Sequence, residues 1–167
     1  MDKGQIFTLD MVIASIIFAS VLSSSMMLWQ FQRDKAHSEE QRIDMETMSG
    51  RTMSLLMETK GLPENWTQYP TDDIYSFGLV DEYLVVNRTK LNDLSALDYN
   101  SVKEILGILG PDYEFGFEVS VMGDEGYIID ASFGLVPDSN SSEVIVVSRE
   151  CILDGDLARA VLEVWKR

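Results

Sequence analysis

The first third of the chain carries two helical patterns in succession. Residues 11–31 form an apolar segment in which Gln30 is the only strongly polar side chain. No proline occurs before Pro63, so the pattern predicts one continuous helix over residues 5–60. In the second half of this helix, residues of one stripe recur every three to four positions, the period of an amphipathic helix. The stripe consists of Met45, Met48, Thr52 and Leu55 or Leu56.

The apolar segment has the length of a membrane span. Its 21 residues, at about 1.5 Å of rise each, make a helix of about 32 Å, and the hydrocarbon core of a bilayer is about 30 Å thick. A cleaved secretory leader would have a shorter apolar region followed by a small-residue cleavage site. The sequence therefore predicts a membrane anchor that stays attached to the rest of the chain.

Apolar and polar residues alternate from Tyr113 onward, as in half-buried β-strands. The predicted face of the first strand is Tyr113, Phe115, Phe117, Val119 and Val121. A turn at residues 123–126 leads into a second run whose predicted face is Tyr127, Ile129, Ala131, Phe133 and Leu135. Residues 144–153 predict a third strand. The last run, 157–166, fits a strand and also a helical period; we favour a strand, which completes an antiparallel meander of four strands.

The region between the long helix and these strands gives weaker patterns. The helix is expected to end at residues 61–63, where glycine and proline interrupt it. Short strands are expected at residues 74–80 and 83–87. Residues 101–104 have the form of a capping box and predict a helix that runs through Leu109. The expected fold class is α+β, with a long N-terminal hydrophobic helix followed by a small head that contains an antiparallel β-sheet.

The tripeptide Lys3-Gly4-Gln5 precedes the apolar segment and is separated from it by five residues. It resembles the class III signal of archaeal type IV pilin-like proteins, in which a short charged leader ending in Lys-Gly meets a Gln that opens the hydrophobic helix. The resemblance implies that a prepilin-type peptidase in the membrane cuts between Gly4 and Gln5. A glycine suits this position because, without a Cβ, it adopts the unusual backbone dihedrals that a protease cleft requires.

The same resemblance implies a division of the chain. The leader would be residues 1–4, the long helix 5–60 with its membrane-spanning part at about 11–31, and the β-rich extracellular head 61–167. Short segments of the head also resemble archaeal pilin-like proteins, loosely and over most of its length, at residues 61–66, 101–115 and 164–165.

The acidic residue at the start of the helix departs from the family pattern. Family members often carry Glu at the fifth position of the mature chain, which here is Leu9, and the acid follows at Asp10. A shift of one residue turns the carboxylate by about 100° around the helix. The resemblance implies for Asp10 a subunit-assembly role, in which it meets the freed amine of a neighbouring subunit. The alternative is an interfacial Asp stabilised by the helix dipole, and the sequence leaves both open.

The net charge of the chain and its N-glycosylation sequons indicate which partners it has and on which side of the membrane the head lies. The chain has 28 acidic against 13 basic residues and a net charge of −15, which repels nucleic acid, so no nucleic-acid partner is expected. Asn65, Asn87 and Asn140 each begin a candidate N-glycosylation sequon. Basic residues flank the span with one before it and three after it, against the positive-inside rule. The leader and the sequons nevertheless favour an external head.

The sequence contains no recognisable catalytic or metal-binding pattern. Cys151 is the only cysteine and lies in an apolar run, which favours a buried small hydrophobe over a nucleophile. His37 is the only histidine and is distant in sequence from Cys151, so a Cys/His pair has little support. No catalytic residue, metal or cofactor is therefore expected, and the protein is not expected to be an enzyme.

Two other residue groups have a structural and a functional interpretation. Acidic pairs at residues 72–73 and at 154 and 156 are explained better by turns than by calcium binding. Trp66, Tyr69 and Tyr75 could form a recognition platform, although aromatic residues beside a helix exit usually cover the core.

These observations lead to one main expectation and one alternative. The main expectation is a pilin-like surface subunit, minor or adaptor in type, anchored in the cell membrane, cut after Gly4 and assembled with other pilin-like subunits into a filament. Small residues along the anchor would permit close helix packing: Ala14, Ser15, Ala19, Ser20 and Ser23 to Ser25. The alternative is a solitary membrane-anchored extracellular binding or sensor domain.

Overall fold

A computed structural model describes the backbone of residues 3–139 and 141–167, and the side chains of these residues except 3–9, 34, 37 and 38. The chain divides into two compact units, Met1–Ile43 and Asp44–Arg167. The α+β class with a long apolar N-terminal helix and a sheet-containing head is confirmed, although the sheet is mixed and not purely antiparallel.

Helix α1 spans Lys3–Glu58, so the predicted continuous helix is confirmed and ends two residues earlier than expected. The hydroxyl of Thr59 donates to the carbonyl of Leu55 at 2.7 Å and accepts the N–H of Gly61 at 3.3 Å. Gly61 has a φ of 87°, a left-handed conformation that glycine adopts without a steric cost. The side-chain oxygen and the left-handed glycine together end the helix and turn the chain toward the head.

The second half of α1 packs one face into the head. Met45, Thr52 and Leu56 of the predicted stripe are buried, whereas Met48 and Leu55 are half-buried. The buried face is wider than predicted and also includes Ser49, Met53 and Met57. Ser49 is tolerated there because its hydroxyl donates to the Met45 carbonyl at 2.7 Å.

Gly50 tests whether α1 requires a glycine in its interior. It lies inside α1, and no atom lies within 4 Å of the position that a Cβ would occupy. Since a helical glycine costs about 0.5–1 kcal/mol relative to alanine, Gly50→Ala should raise the free energy of unfolding of the head by about that amount. Urea unfolding of the detergent-solubilised chain, followed by tryptophan fluorescence, measures it. A loss of stability would mean that the helix needs the flexibility of glycine here.

The chain after α1 forms short paired segments. Strand β1 (Gly61–Leu62) pairs antiparallel with β2 (Ser76–Phe77), and two 3₁₀ helices lie between them, Trp66–Gln68 and Thr71–Asp73. The predicted single strand at residues 74–80 is therefore wrong. Ile74 ends the second 3₁₀ helix by donating its N–H to the Thr71 carbonyl, and strand pairing begins only at Ser76.

Strands β3 (Val80–Glu82) and β4 (Val85–Val86) form the small hairpin that follows. The predicted strand at residues 83–87 is shortened to β4, because Leu84 adopts a left-handed φ of 60° in the turn.

Two short helices complete the helical layer. Helix α2 (Arg88–Ser95) was not predicted; Asn87 caps it by accepting the N–H groups of Thr89 at 2.8 Å and Lys90 at 3.1 Å. Helix α3 spans Tyr99–Ile105 and is capped by Asp98.

The predicted capping box at residues 101–104 is therefore misplaced. Ser101 lies inside α3 and donates its N–H to the Asp98 carboxylate at 3.0 Å. The true cap lies three residues earlier, and α3 ends before the predicted limit at Leu109.

The main sheet contains β5 (Tyr113–Gly123), β6 (Gly126–Gly134), β7 (Glu143–Leu153) and β8 (Asp156–Lys166). Its strand order is β3-β4-β7-β8-β5-β6, and all pairs are antiparallel except β4 with β7. The last run is a strand, as favoured. The predicted meander is wrong, because β8 lies between β7 and β5 and β6 stands at the edge.

The chain that leaves β6 packs closely against Gly116 of β5, which shows how the strands depart from a meander. A Cβ on this residue would collide with the carbonyl oxygen of Leu135, which follows β6. The Leu135 N–H also donates to the Phe115 carbonyl at 2.9 Å. The chain leaving β6 therefore passes over the face of β5 on which Gly116 lies, instead of turning back beside β6.

A bulge changes the predicted face of β6. Phe133 and Ala131 pair with Phe117 and Val119, as the alternation predicts, but the register shifts between Val119 and Ser120. Beyond the shift, Ile129 pairs with Ser120 and Tyr127 with Met122. The predicted core face is therefore wrong for Tyr127 and Ile129, and also for Leu135, which lies beyond the end of β6.

The core lies between the helices and one face of the sheet, called here the helix-side face. Alternate residues of β5 and β8 are buried on it, with contributions from α1, α2 and α3: Met53, Leu56, Met57, Leu91, Leu94, Val102, Phe115, Phe117, Val119, Ala158, Ala160, Leu162 and Val164. The opposite face of the sheet, called here the outer face, carries many exposed side chains.

Candidate functional site

The residues of the predicted processing signal begin the long helix. The backbone of Lys3, Gly4 and Gln5 lies within α1, which begins at Lys3, and their side chains lie outside the described residues. The predicted cleavage between Gly4 and Gln5 therefore stays a prediction.

The apolar part of α1 is not covered by the residues that the structure describes. Asp10–Arg33 is a 24-residue stretch long and apolar enough to cross a membrane, and none of it is buried. Among its exposed apolar side chains are Phe18, Met27 and Phe31, each with more than 60% of its surface accessible. A soluble helix with this composition would bury a stripe of these residues. The described part of the chain supplies no such apolar surroundings for this segment.

Two serine side chains inside the span form hydrogen bonds within the helix. The hydroxyls of Ser15 and Ser20 donate to the carbonyls of Met11 and Ile16, each at 2.8 Å. Such bonds within the helix remove the cost of bringing a hydroxyl into hydrocarbon. Near the end of the span the guanidinium of Arg33 lies 5.7 Å from the centroid of the Trp29 ring. An aromatic and a cation at one end of an apolar helix are typical of the membrane–water boundary.

Asp10 lies at the other end of the span. Its side chain is exposed and makes no hydrogen bond or ion pair with the side chains that the structure describes. Among the described side chains, none neutralises this carboxylate. The two interpretations of Asp10 given above, an assembly contact or an interfacial position, both remain open.

Known proteins do not decide between them. No protein-family model, curated protein or solved structure matches the chain. The argument about function therefore depends on the physical properties of the span and the head.

The three sequons have different surroundings. Asn65 is exposed and its amide nitrogen donates to Gln68 at 3.2 Å. Asn87 is half-buried: it caps α2 through its oxygen, and its nitrogen donates to Asp81 at 2.7 Å. Asn140 lies outside the described residues. Asn65 is thus the more accessible of the two sequon asparagines that the structure describes.

A polar cleft of about 530 Å³ lies between these two sequons. At its base the ammonium of Lys90, which is 6% exposed, donates to the carbonyls of Lys60 at 3.0 Å and Val80 at 3.3 Å and lies 3.5 Å from an Asp81 oxygen. The ammonium of Lys90 thus has two carbonyl hydrogen-bond partners and an ion-pair partner. The ammonium of Lys90 therefore links the segment that follows α1, through the Lys60 carbonyl, to β3, through the Val80 carbonyl. This is a structural role.

A second polar cluster, which the sequence did not reveal, surrounds Glu114. This carboxylate is 8% exposed and accepts the hydroxyl of Tyr99 at 2.6 Å and the ammonium of Lys103 at 3.3 Å, while Arg167 lies at 3.7 Å. Burial raises the pKa of Glu114, but the hydrogen bonds and the two cations outweigh it and hold that pKa below its usual value. Burial and the Glu114 contact raise the pKa of Tyr99. The cluster joins α3 and the C-terminus to β5.

The lowered pKa of Glu114 predicts a pH dependence of stability. A carboxyl group with a lower pKa in the folded state stabilises the fold above its unfolded pKa, about 4.3, and this contribution is lost as pH falls through the folded pKa. Glu114→Gln should lower the free energy of unfolding by about 1–3 kcal/mol at pH 7 and flatten its decline below about pH 4.3. Urea unfolding at several pH values measures both effects. The exposed Glu104, replaced by Gln, is the control and should change neither.

The remaining candidate residues have structural surroundings. Asp154, with a φ of 55°, and Gly155 form the tight turn between β7 and β8, as the turn interpretation predicted, and Asp154 also joins Asp130 in binding Arg88. Trp66 is buried and donates its indole N–H to the Gly78 carbonyl at 2.9 Å. It therefore belongs to the core, and a recognition platform that includes it is wrong.

Cys151 is buried, as predicted, and burial raises its pKa to about 11. At this pKa the thiol is protonated at neutral pH and is a poor nucleophile. The side chain of His37 lies outside the described residues. Among the side chains that the structure describes, no three His, Cys, Asp or Glu residues converge in a way that could hold a metal ion.

Proposed function

We propose that this protein is a pilin-like surface subunit, cut after Gly4 and assembled through its apolar helix into a type IV pilus-like filament, as a minor or adaptor component. The observation that supports the proposal most directly is the span Asp10–Arg33, in which no residue is buried by its own chain. The motif Lys3-Gly4-Gln5, four residues before the span, is the second support.

The span can be satisfied by lipid or by other helices. Small residues lie on it at four-residue intervals, at Ser15, Ala19 and Ser23, and such spacing lets helix backbones approach closely. Once the subunit has left the lipid, bundling of these helices would keep the exposed apolar side chains out of water, which stabilises the bundle by roughly 25 cal/mol per Å² of apolar surface. Assembly by packing requires no catalytic group.

The proposed location follows from the same arrangement. The head would be outside the cell, and the span would reside in the membrane until a prepilin-type peptidase releases the subunit for assembly. Burial of an unpaired carboxylate favours a partner of opposite charge. In the assembled state Asp10 would therefore pair with the amine that cleavage creates at Gln5 of a neighbouring subunit.

Shearing of cells that carry the native full-length protein tests this function. A filament subunit should be released from the cell surface by shear and sediment at high speed, because many copies are held together. A solitary membrane-anchored sensor or binding domain, the alternative, should stay in the membrane fraction and be extracted by detergent as a monomer. Recovery of the protein only in that form would contradict the proposed function.

A further inference from the structure

The outer face of the sheet combines exposed apolar side chains with unpaired acids. Val144 and Val146 of β7 and Val136 after β6 are 38%, 57% and 84% exposed. Beside them, Glu118 and Glu163 line a shallow groove of about 130 Å³, together with Leu135, Val136 and Val161. Neither carboxylate forms an ion pair with the side chains that the structure describes.

Glu118 and Glu163 are close to each other in the sheet. Glu118 pairs with Val161, and Gly116 with Glu163, so the two acids occupy diagonal positions on neighbouring strands. Both are half-buried. Two half-buried carboxylates beside an apolar rim suit a cation with an aliphatic stem, such as an arginine side chain.

The helix-side face has the complementary combination at the edge of β7. Arg149 is exposed there and makes no ion pair with the described side chains. Ile145 and Val147, which point to the same side as Arg149 along the strand, are half-buried. Strand β4 pairs only with Ile152 and Leu153 of β7. In the part of the chain that the structure describes, the edge of β7 near Arg149 therefore has no neighbouring strand.

We infer that the head carries a head-to-tail contact between copies of this chain, in which Arg149 of one copy enters the groove of Glu118 and Glu163 on the next. The argument is charge complementarity: an apolar patch with two unpaired acids faces an apolar edge with an unpaired cation. This inference rests on the proposed function, because it adds a head contact to the helix packing of a filament.

The geometry favours an open series of copies over a closed dimer. Arg149 pairs with Ala160, whose side chain is buried on the helix-side face, whereas Glu163 and Glu118 lie on the outer face. The two patches are therefore on opposite sides of one sheet and cannot meet within one head. A contact between two different patches leaves one of each unused in every pair of copies, so copies add in series.

Cross-linking of the full-length chain in its native membrane or filament tests the contact. In an Arg149→Lys variant, a carbodiimide should join the new amine to Glu118 or Glu163, and mass spectrometry identifies the joined peptides. Mixing ¹⁵N-labelled and unlabelled copies shows whether the link is between chains. Arg51→Lys, which places an amine at another exposed arginine without an ion pair to the described side chains, is the matched control and should give no link to the groove.

Charge exchange gives a second, independent measurement. Glu163→Arg should reduce the cross-linked or sedimenting fraction by about tenfold, because like charges would face each other. Adding Arg149→Glu in the same chain should restore it. The restoration separates loss of contact from misfolding.

The outcomes distinguish the inference from the proposed function. Links between chains at positions 149 and 163 or 118, with rescue by the exchanged pair, support the inference. Processed subunits that sediment normally, without these links and without sensitivity to Glu163→Arg, would overturn the head contact and leave the filament function standing. An unprocessed monomer would overturn both.

Discussion

Replacing Gly78 by alanine should destabilise the head more than any other single methyl addition to a head glycine. Gly78 is buried where the exit of α1 crosses β2. A Cβ on it would lie 2.6 Å from the carbonyl carbon of Lys60 and closer still to the Thr59 carbonyl oxygen. These are backbone atoms, so no side chain can rotate away. Overpacking of this kind costs about 3 kcal/mol or more, which is a large part of a typical stability of about 5–15 kcal/mol.

The contacts around Gly78 increase the effect. Its carbonyl accepts the indole N–H of Trp66, and the next residue, Leu79, donates its N–H to the Leu56 carbonyl at 2.8 Å. A displacement of this backbone would therefore disturb the helix and the aromatic core at once. Thermal unfolding of the solubilised chain should show a fall in Tm of roughly 10 °C.

Gly107 supplies the matched control for Gly78. It has a left-handed φ of 74°, but no atom lies within 4 Å of the position that a Cβ would occupy. Gly107→Ala should therefore cost only the conformational penalty, about 1–2 kcal/mol. If Gly78→Ala cost no more than Gly107→Ala, close packing at the helix exit would not be what limits this position.

Substitution of Gly4 by leucine should abolish assembly while leaving the head folded. The proposed peptidase cleft needs unusual backbone dihedrals at the cleavage site, which glycine adopts easily because it has no Cβ and which a bulky residue resists. The variant should keep its leader, residues 1–4, and remain in the membrane. Without cleavage no free amine forms at Gln5, so Asp10 would lack its proposed partner.

Two measurements separate this effect from a general defect. The mass of the membrane-extracted protein shows whether the leader is present, and the thermal unfolding of the head should be unchanged. Lys3→Arg keeps the charge of the leader and is the control, which should be processed and assembled normally. Normal assembly of the Gly4→Leu variant would contradict a cleavage requirement.

The long helix and the strands were predictable because the spacing of apolar residues along each of them matches the residues that the fold buries. The alternation of Phe115, Phe117 and Val119 places apolar groups on one side of a strand. The spacing of Met45, Thr52 and Leu56, by seven and then four residues, likewise places these buried side chains on one side of a helix. Strand order was not predictable, because it depends on contacts between distant segments. The parallel pairing of β4 with β7 involves only Val85 and Val86 against Ile152 and Leu153, which is too short to leave a pattern.

Local backbone geometry explains the other errors. The sequence predicts Asn87 as a sequon and as the end of a strand, yet it caps α2. Asp98 rather than Ser101 caps α3, since Asp, Ser and Thr are all good caps and sequence alone does not choose among neighbours. The bulge near Asp130 changes the face of β6, and one inserted residue is invisible in an alternating run.

The candidate sites also differ in how far the sequence alone could predict them. The span and the residues before it are continuous in sequence and could be identified from it. The cluster at Glu114 joins residues of α3, β5 and the C-terminus. The placement of Arg149 on one face of the sheet and of Glu118 and Glu163 on the other, on which the proposed contact between copies rests, depends on the sheet register. Both required the folded chain.

The mass of the N-terminal peptide from protein released by shear tests the central claim most directly. The account predicts a subunit that begins at Gln5 and is recovered in sedimenting polymer. A chain that still carries Met1 through Gly4, recovered from cells only as a detergent-soluble monomer, would contradict it.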